Sequence, residues 1–299
     1  MRVYCLGSLG YDFLTDSKRD TFRQLLGKTK HLDSCRDMAE FFLGRPVRDT
    51  KTGLISYDTE WRGNYEWAEE LTWTINQDKH PLYVIRPIGA GSGDFYRILP
   101  KILYWSLNPE DRFIDRNITA GHMVKWVGVA GEIVGEEKLY NGEVVPVVSC
   151  RLCGLNAWMV DDMVNKLTMA LSRVKDVVVD REKIFAKVDF MLGKIYRELL
   201  NPGVGDDERA MNYAATNMFL AAGHFADLFK NADVSYELGK VEISNSCMRP
   251  SSDGLKDVKL MFFDSGNREG AKKCYRLTVD LSGVYPVLVG GTLQTWSEY

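Results

Sequence analysis

Two C-terminal segments decide the fold: Asp257-Val258-Lys259-Leu260-Met261-Phe262-Phe263-Asp264 and Tyr275-Arg276-Leu277-Thr278-Val279-Asp280. Both alternate their side chains with a period of two, which is the spacing of a β-strand whose two faces differ. The second segment shows the cleaner alternation, with Tyr, Leu and Val on one face and Arg, Thr and Asp on the other. Ser265-Gly266-Asn267 supplies turn residues between them. The two segments therefore predict antiparallel strands within a C-terminal β-meander.

Helical patterns fill the middle of the chain and parts of its first third. In the middle, helices are predicted over about 158–174, 181–200 and 206–230, and Asn201-Pro202-Gly203 predicts a stop between the last two. In the first third, Asp16 is a candidate N-cap for a helix that ends near Leu26, and Ser34 is a candidate cap for a second helix. Two more helices are predicted, one from Asn64 that carries Trp67, Leu71, Trp73 and Ile75, and one over about 93–105.

Strands are also predicted in the first half of the chain. They cover Arg2 to Leu6 and residues 81–87, 123–134 and 144–148, while Gly7-Ser8-Leu9-Gly10 predicts a turn and the polar stretch 46–63 a long loop. Asn141-Gly142 predicts a hairpin, because both residues tolerate positive φ and apolar runs flank them. Pro146 predicts that its strand is an edge or bulged one, because proline cannot donate to a ladder.

These elements predict an α+β fold in which helices pack on one face of a mainly antiparallel sheet and a C-terminal β-meander follows. The chain divides best after the strand that ends at Cys150. We therefore predict an N-terminal α+β part over 1–150, and over 151–299 a helical segment followed by the meander.

The overall composition excludes several function classes. With 38 basic and 41 acidic residues the formal charge is -3, whereas a dedicated nucleic-acid binder carries a basic excess. No apolar run approaches the ~20 residues of a membrane helix, and the N-terminus lacks a signal-peptide pattern. Six cysteines in 299 residues do not form a disulfide scaffold. We expect a soluble cytoplasmic protein with reduced thiols and no nucleic-acid or membrane partner.

The run Gly89-Ala90-Gly91-Ser92-Gly93 follows a predicted strand and precedes a predicted helix. This is the context of a dinucleotide-binding loop, but the glycine three places after the second glycine is missing. The chain also lacks the repeating strand–helix units of a doubly wound fold. We expect a strand-to-helix turn here and no cofactor.

Cys150 and Cys153 have the spacing of half a zinc site, and Cys247 is the best distant partner for them. The histidines at 31, 80, 122 and 224 are scattered, and no Gly-x-Ser-x-Gly or cysteine-protease signature occurs. We therefore predict buried thiols, with no metal site and no catalytic residue. A metal-stabilised structural module that uses Cys150 and Cys153 stays as an alternative.

Aromatic residues are the more suggestive feature of the composition. The cluster consists of Tyr57, Trp61, Tyr65, Trp67 and Trp73. Aromatic rings are enriched at protein and peptide interfaces, although most of them belong to the core of any chain. Strand edges near Pro146 and Pro286 offer a second binding mode, because a flexible peptide can add itself to an exposed edge as an extra strand.

Several motifs in one order resemble the C-terminal domain of unknown function of the cyanobactin (patellamide-type) maturation proteases. The matching segments are Tyr4–Phe13, Arg19–Phe22, Leu71–Asn76, Pro81–Ile85, Arg209–Asn217, Ser246–Pro250, the two strand segments above, Tyr285–Val287 and Trp296-Ser297. Near Cys247 the family can carry a second cysteine where this chain has Ser252-Asp253-Gly254. No metal site is therefore carried over. Stand-alone versions are similar to the peptide-binding helper proteins of crocagin-type ribosomal peptide pathways.

The resemblance implies a non-catalytic protein that binds a ribosomal precursor peptide and presents it to the modifying enzymes of the same pathway. By family analogy we expect a homodimer. From motif position and side-chain type, the candidate peptide-binding residues are Tyr213, Asn217, Arg249, Tyr285 and Trp296. The alternative is an enzyme, such as a cyclase or another tailoring activity, that acts directly on the precursor peptide.

Overall fold

A computed structural model describes most of the chain. The described residues are 1–44, 46–48, 55–57, 63–107, 124, 126–157, 160–173, 180–217, 225–226, 228–229, 236–248, 254–267 and 269–298. The contacts between residues divide the chain into two compact units, one of Met1 and Gly7–Ala157 and the other of Arg2–Leu6 and Trp158–Tyr299. The division into 1–150 and 151–299 stays a prediction.

Helices and strands both contribute to the described part of the chain. The helices are α1 (Asp16–Leu26), α2 (Cys35–Leu43), α3 (Ser92–Trp105), α4 (Val160–Leu171), α5 (Arg181–Leu199) and α6 (Asp206–Asn217). The strands are β1 (Arg2–Asp12), β2 (Pro46–Arg48), β3 (Ile55–Tyr57), β4 (Thr72–Gln77), β5 (His80–Pro87), β6 (Val127–Lys138), β7 (Val144–Cys150), β8 (Leu155–Ala157), β9 (Tyr236–Asn245), β10 (Leu255–Asp264), β11 (Lys272–Asp280) and β12 (Val287–Glu298). Within these ranges no helix is both long and apolar enough to cross a membrane.

The N-terminal unit is built around a six-stranded sheet. Its strand order is β1-β4-β5-β7-β6-β8, with an additional pairing between β1 and β6. Only the β5–β7 pair is parallel among the registers described, so the sheet is mainly antiparallel as predicted. Phe42 of α2 packs between Phe22 of α1 and Trp73 of β4, with ring centroids 6.4 and 6.0 Å away. These rings form part of the buried core of the unit.

The glycines near the N-terminus serve close strand pairing and not the predicted turn, because β1 continues through them to Asp12. A Cβ atom at Gly7 would lie 2.4 Å from the Asn76 carbonyl oxygen, and one at Gly10 would lie 2.2 Å from Asn76 Nδ2. Both distances are far shorter than a non-bonded contact allows. The turn predicted for residues 7–10 was therefore wrong, since glycine here allows β4 to approach β1.

The helix predicted from Asn64 was also wrong. A short 3₁₀ segment covers Tyr65–Ala68, and the strand β4 follows it. Trp73 and Ile75 are fully buried, and Trp73 donates its Nε1–H to the Ala68 carbonyl oxygen at 2.8 Å. Leu71, Trp73 and Ile75 are spaced by two residues, as in a β-strand, and β-branched residues lie among them. These strand signals outweigh the approximate helical spacing that is seen when Trp67 is included.

Two other N-terminal predictions need correction in part. β7 lies between β5 and β6 and is not an edge strand, but β6 bulges opposite it between Ile133 and Gly135. Pro146 avoids the loss of a ladder bond to β5 because the β5–β7 register begins only at Val147. The predicted long loop over 46–63 contains the short pair β2–β3. The hairpin at Asn141-Gly142 is confirmed, with Gly142 at a φ of 90°.

The C-terminal unit contains the predicted β-meander. Its four strands are antiparallel and lie in the order β12-β11-β10-β9. α6 packs on one face of this sheet, and Phe225 packs on the same face against Phe262 and Tyr275, at centroid distances of 6.2 and 4.5 Å. Helices on one face of an antiparallel sheet confirm the predicted α+β class.

The strand registers assign most residues of this sheet to one of two faces. The helix face carries Leu238, Val241, Val258, Leu260, Phe262, Tyr275, Leu277 and Val279. The outer face carries Lys240, Glu242, Asp257, Lys259, Met261, Phe263, Cys274, Arg276, Thr278 and Trp296. Gly239 has no partner on β10, because Lys240 pairs with Met261 and Leu238 pairs with Phe262. Gly239 is therefore the extra residue of a β-bulge.

Candidate functional site

Four polar side chains lie on the buried side of α6, next to three alanines. Arg209, Asn212, Thr216 and Asn217 are each at most 8% exposed. The Tyr4 hydroxyl lies 2.7 Å from Thr216 Oγ1, and Asn212 Nδ2 donates to the Tyr4 carbonyl oxygen at 2.8 Å. Because buried polar groups destabilise a fold unless they are hydrogen-bonded, these contacts tie the first residues of β1 to α6. Segment 209–217 therefore has a structural role.

The Arg209 guanidinium holds the turn that precedes β12. Its Nη atoms donate to the carbonyl oxygens of Leu281, Gly283 and Val284 at 3.2, 2.8 and 3.4 Å. Nη1 also lies 3.4 Å from Asp206 Oδ1. Burial lowers the pKa of Arg209, and the acidic group of Asp206 opposes that change. We call this arrangement the Arg209 clamp.

Tyr213 and Asn217, two of the predicted site residues, lie one turn apart on α6. The Tyr213 ring packs edge-on against Tyr4, with centroids 5.5 Å apart. Asn217 Nδ2 donates to the Tyr213 carbonyl oxygen and to Thr216 Oγ1, both at 3.0 Å. Burial raises the pKa of Tyr213, and the backbone of Leu288 on β12 lowers it by a smaller effect. Both side chains therefore make contacts inside the unit.

Trp296, another predicted site residue, lies on the outer face. Its Nε1–H donates to Glu298 Oε1 at 2.8 Å. Lys259 Nζ lies 5.3 Å and the Arg276 guanidinium carbon 5.9 Å from the centre of the ring. Lys259 also pairs with Glu298 at 2.7 Å, and this contact holds the pKa of Glu298 below its usual value. Trp296 is thus half-buried within a network of charged side chains.

The structure separates the predicted site residues. Tyr213 packs on the helix face near Leu288, whereas Trp296 lies on the outer face. Val279 and Cys274, the β11 partners of Leu288 and Trp296, are about 17 Å apart at the rise of a β-strand. Tyr285 is half-buried in the turn before β12, next to the Arg209 clamp. Arg249 lies outside the described residues. Their role in peptide binding stays a prediction.

The opposite edge of the same sheet is formed by β9. Among the described residues, β9 is an edge strand that pairs with β10 alone. An edge strand presents unpaired N–H and C=O groups along its free side, and these groups can bind another extended chain. Leu238 is buried, while Gly239 and Lys240 are exposed on this strand. The bulge at Gly239 lies in the middle of the edge.

Three cavities follow β9. On the helix face, one of about 280 Å³ lies beside Tyr236 and is lined by Phe190, Met191 and Phe229. A second cavity on that face, of about 370 Å³, lies beside Leu238 and is called the helix-side cavity below. The third, of about 510 Å³, lies on the outer face beside Lys240 and is called the outer cavity. A bound strand at β9 would therefore meet space for side chains on both of its faces.

The other candidate chemistries find less support. The prediction of buried thiols was wrong for Cys153, because Cys150 is buried but Cys153 and also Cys247 are exposed. Within the described part of the chain, no group of three or more His, Cys, Asp or Glu side chains is close enough to hold a metal ion. Gly89 and Gly91 have φ angles of 84° and 99° in the turn between β5 and α3. Glycine adopts positive φ angles at little cost, so the backbone conformation explains why glycine occurs at these two positions. His224 lies outside the described residues.

Comparisons with known proteins identify the family of this chain. The family model described as the PatG domain matches residues 2–227, and the model described as PatG C-terminal matches residues 178–296. The chain belongs to the PatG domain family. This confirms the resemblance to the C-terminal domain of the cyanobactin proteases, and the family is linked to cyanobactin biosynthesis.

A solved structure agrees with the PatG assignment. A chain described as the PatG domain of unknown function is 28% identical and superposes with a TM-score of 0.75. The match covers 99% of this chain and 99% of the other. No curated protein matches the chain. The PatG fold is therefore shown over both units, while the biochemical role rests on the site.

Sequence reasoning missed the β9 edge of this PatG domain. The sequence predicts a C-terminal β-meander but assigns no strand to Tyr236–Asn245 and does not predict its position in the sheet. The signal available in the sequence was Gly239 between Leu238 and Lys240, because a glycine inside a strand often marks a bulge. Which strand lies at an edge depends on the pairing of the whole meander.

Proposed function

We propose that this protein binds a ribosomal precursor peptide without chemical change and presents it to separate modifying enzymes. The observation that carries the proposal is the β9 edge, with cavities on both faces beside Gly239 and Lys240. Main-chain hydrogen bonds along an edge supply affinity for an extended peptide, and pockets for alternate side chains supply specificity. Family membership and its link to cyanobactin biosynthesis support the same class of ligand.

Holding the peptide has a physical purpose. A free peptide loses conformational entropy when it enters an active site, and binding to an ordered edge removes part of that cost beforehand. A partner enzyme then meets the reacting residue in a restricted set of geometries, which favours near-attack arrangements. The proposed partners are the modifying enzymes of the same pathway, with the protein acting as a homodimer in the cytoplasm.

The test is a calorimetric titration of the full chain with the precursor peptide encoded beside its gene, followed by mass spectrometry of the recovered peptide. The proposal expects saturable binding and an unchanged peptide mass. A changed mass with this protein alone would replace the proposal by an enzyme that acts on the peptide. The absence of binding heat at high micromolar peptide concentrations would refute peptide binding.

Two variants locate the site. Gly239→Ala lies at the proposed edge, and Trp296→Ala lies on the opposite edge strand, β12. We expect the first to weaken binding, while the second tests the separate prediction that Trp296 contacts the peptide. Loss of binding in Trp296→Ala and not in Gly239→Ala would keep the function but move the site to β12, the strand that carries the predicted site residue Trp296.

A further inference from the structure

The helix-side cavity and the outer cavity lie at the same level of β9. Gly239 and Lys240 line both of them, although the cavities open on opposite faces of the sheet. Successive residues of an extended chain point to opposite faces. A peptide that pairs with β9 at this level therefore places one side chain in the first cavity and the side chain of its immediate neighbour in the second.

The helix-side cavity is suited to an aliphatic side chain. Apolar atoms of Leu200, Met211 and Leu238 line it. The three polar side chains of its wall already have partners. Asn201 Nδ2 donates to Asn212 Oδ1 at 2.9 Å, Glu208 Oε2 accepts from the Val204 N–H at 2.9 Å, and Lys240 pairs with Glu242 at 2.7 Å. A ligand gains free energy here mainly by burying apolar surface.

The outer cavity is suited to an aromatic side chain. Met261, which is 8% exposed, and the half-buried Phe263 provide a thioether and an aromatic ring, and both interact favourably with a ligand ring. Lys240 and Lys272 also line this cavity, and their ammonium groups can lie over such a ring. The carboxylate of Glu242 is engaged by Lys240 at 2.7 Å.

The surrounding sheet already uses this chemistry. Lys273 Nζ lies 4.7 Å from the centre of the Tyr236 ring, and Lys259 lies over Trp296 on the outer face. Cation–aromatic pairs are therefore an established interaction of this sheet. An aromatic ligand residue between Lys240 and Lys272 would add one more pair of the same kind.

Resting on the proposed function, we propose that the segment bound by β9 is extended and carries an aliphatic residue directly adjacent to an aromatic one. The aliphatic side chain occupies the helix-side cavity and the aromatic side chain occupies the outer cavity. Main-chain hydrogen bonds to the free edge of β9 fix the register between them. The occupant is a stretch of the precursor peptide with this residue pair.

The first test uses fluorescein-labelled ten-residue peptides of Thr, Ser and Gln with a central Leu-Phe, Leu-Ser, Ser-Phe or Ser-Ser pair, titrated with the full chain by fluorescence anisotropy. We expect the Leu-Phe peptide to bind about tenfold more tightly than either single replacement, because each buried side chain contributes at least that factor. N-methylation of alternate amides in the Leu-Phe peptide should abolish binding. Equal affinities for the four peptides would overturn the inference.

Variants separate the two cavities. A Cβ atom at Gly239 would lie 2.7 Å from Phe263 Cδ1, so Gly239→Ala forces the ring that lines the outer cavity to move. We expect it to weaken Leu-Phe binding about tenfold and to leave Leu-Ser binding unchanged. Gly193→Ala on α5 is the matched control, since among the described atoms its Cβ meets only Arg197 Nη2 at 3.9 Å. Lys272→Ala changes an exposed residue and should cost two- to fivefold for Leu-Phe alone.

Failure of this inference is distinguishable from failure of the proposed function. If the precursor peptide binds, but the Leu-Phe peptide does not compete and neither Gly239→Ala nor Lys272→Ala lowers its affinity, the function stands and the residue pair is wrong. If the precursor peptide does not bind at all, the proposed function fails. If the Leu-Phe peptide competes with the precursor peptide and both variants bind the precursor peptide more weakly, the proposed function and the residue pair are both supported.

Discussion

Replacing Arg209 by methionine tests the Arg209 clamp most directly. Methionine keeps most of the length and apolar stem of the side chain but removes the charge and the donors. Three carbonyl oxygens, of Leu281, Gly283 and Val284, then lose a charged donor. Each hydrogen bond to a charged group contributes about 1.5–3 kcal/mol, whereas removal of the buried charge returns part of its desolvation cost. We expect Arg209→Met to lower the free energy of unfolding by about 3–5 kcal/mol.

The control is the ion-pair partner of Arg209. Asp206 has a side chain that is 55% exposed, and exposed ion pairs contribute only about 0–1 kcal/mol. Asp206→Asn should therefore be nearly neutral. Urea denaturation followed by circular dichroism measures both variants, and an unchanged m-value would show that the unfolded states are comparable. The reasoning is refuted if Asp206→Asn costs as much as Arg209→Met, because the ion pair and not the carbonyl bonds would then hold the turn.

Other variants test local features. Glu40→Ala should cost about 1.5–3 kcal/mol in urea denaturation, because this 6% exposed carboxylate accepts charged hydrogen bonds from Lys30 and Arg36 at 3.1 Å each, while water can solvate the two partly exposed cations that remain; a cost below about 0.5 kcal/mol would contradict this. Lys79→Gly should stabilise the protein by about 1 kcal/mol and raise the Tm, because Lys79 has a φ of 69° in the β4–β5 turn; an unchanged Tm would argue against strain there. Burial raises the pKa of Tyr11 above its unfolded value of about 10, so the contribution of Tyr11 to stability is complete below that pH and is lost as the pH rises above it. Tyr11→Phe should therefore reduce the decrease of the free energy of unfolding with alkaline pH, measured by urea denaturation. An unchanged decrease would show that other tyrosines cause it.

Local alternation made the C-terminal sheet predictable. In β10 and β11 the sequence pattern and the buried face coincide, so the strands and their antiparallel pairing followed from the residues alone. The same rule misled in the N-terminal unit, where Gly7 and Gly10 appeared as turn residues. Glycine is required at both positions because β4, a strand more than 60 residues later in the chain, lies close to β1 there. No local sequence pattern indicates such a contact.

The candidate site was less predictable for a related reason. Asn217 and Tyr213 have the side chains of binding residues, but their burial on α6 assigns the hydrogen bonds of Asn217 to the fold. The sequence contains no mark that distinguishes a buried asparagine with internal partners from an exposed one that binds a ligand. The β9 edge, in turn, depends on which strand ends the meander, and this order is a property of the whole sheet.

The bulge at Gly239 reconciles peptide binding with the risk that an edge strand carries. A long regular edge would pair with the edge of another copy and favour aggregation, and natural sheets interrupt such edges by bulges and charged side chains. β9 has both, with the bulge at Gly239 and the exposed Lys240 beside it. The ladder on either side of the bulge is then only a few residues long, which is enough for a short peptide that also fills two cavities. β9 has aliphatic residues and one tyrosine, but no aliphatic residue directly adjacent to an aromatic one, so a second copy of β9 would not fill both cavities at once. The same feature that limits self-association therefore selects for a flexible ligand.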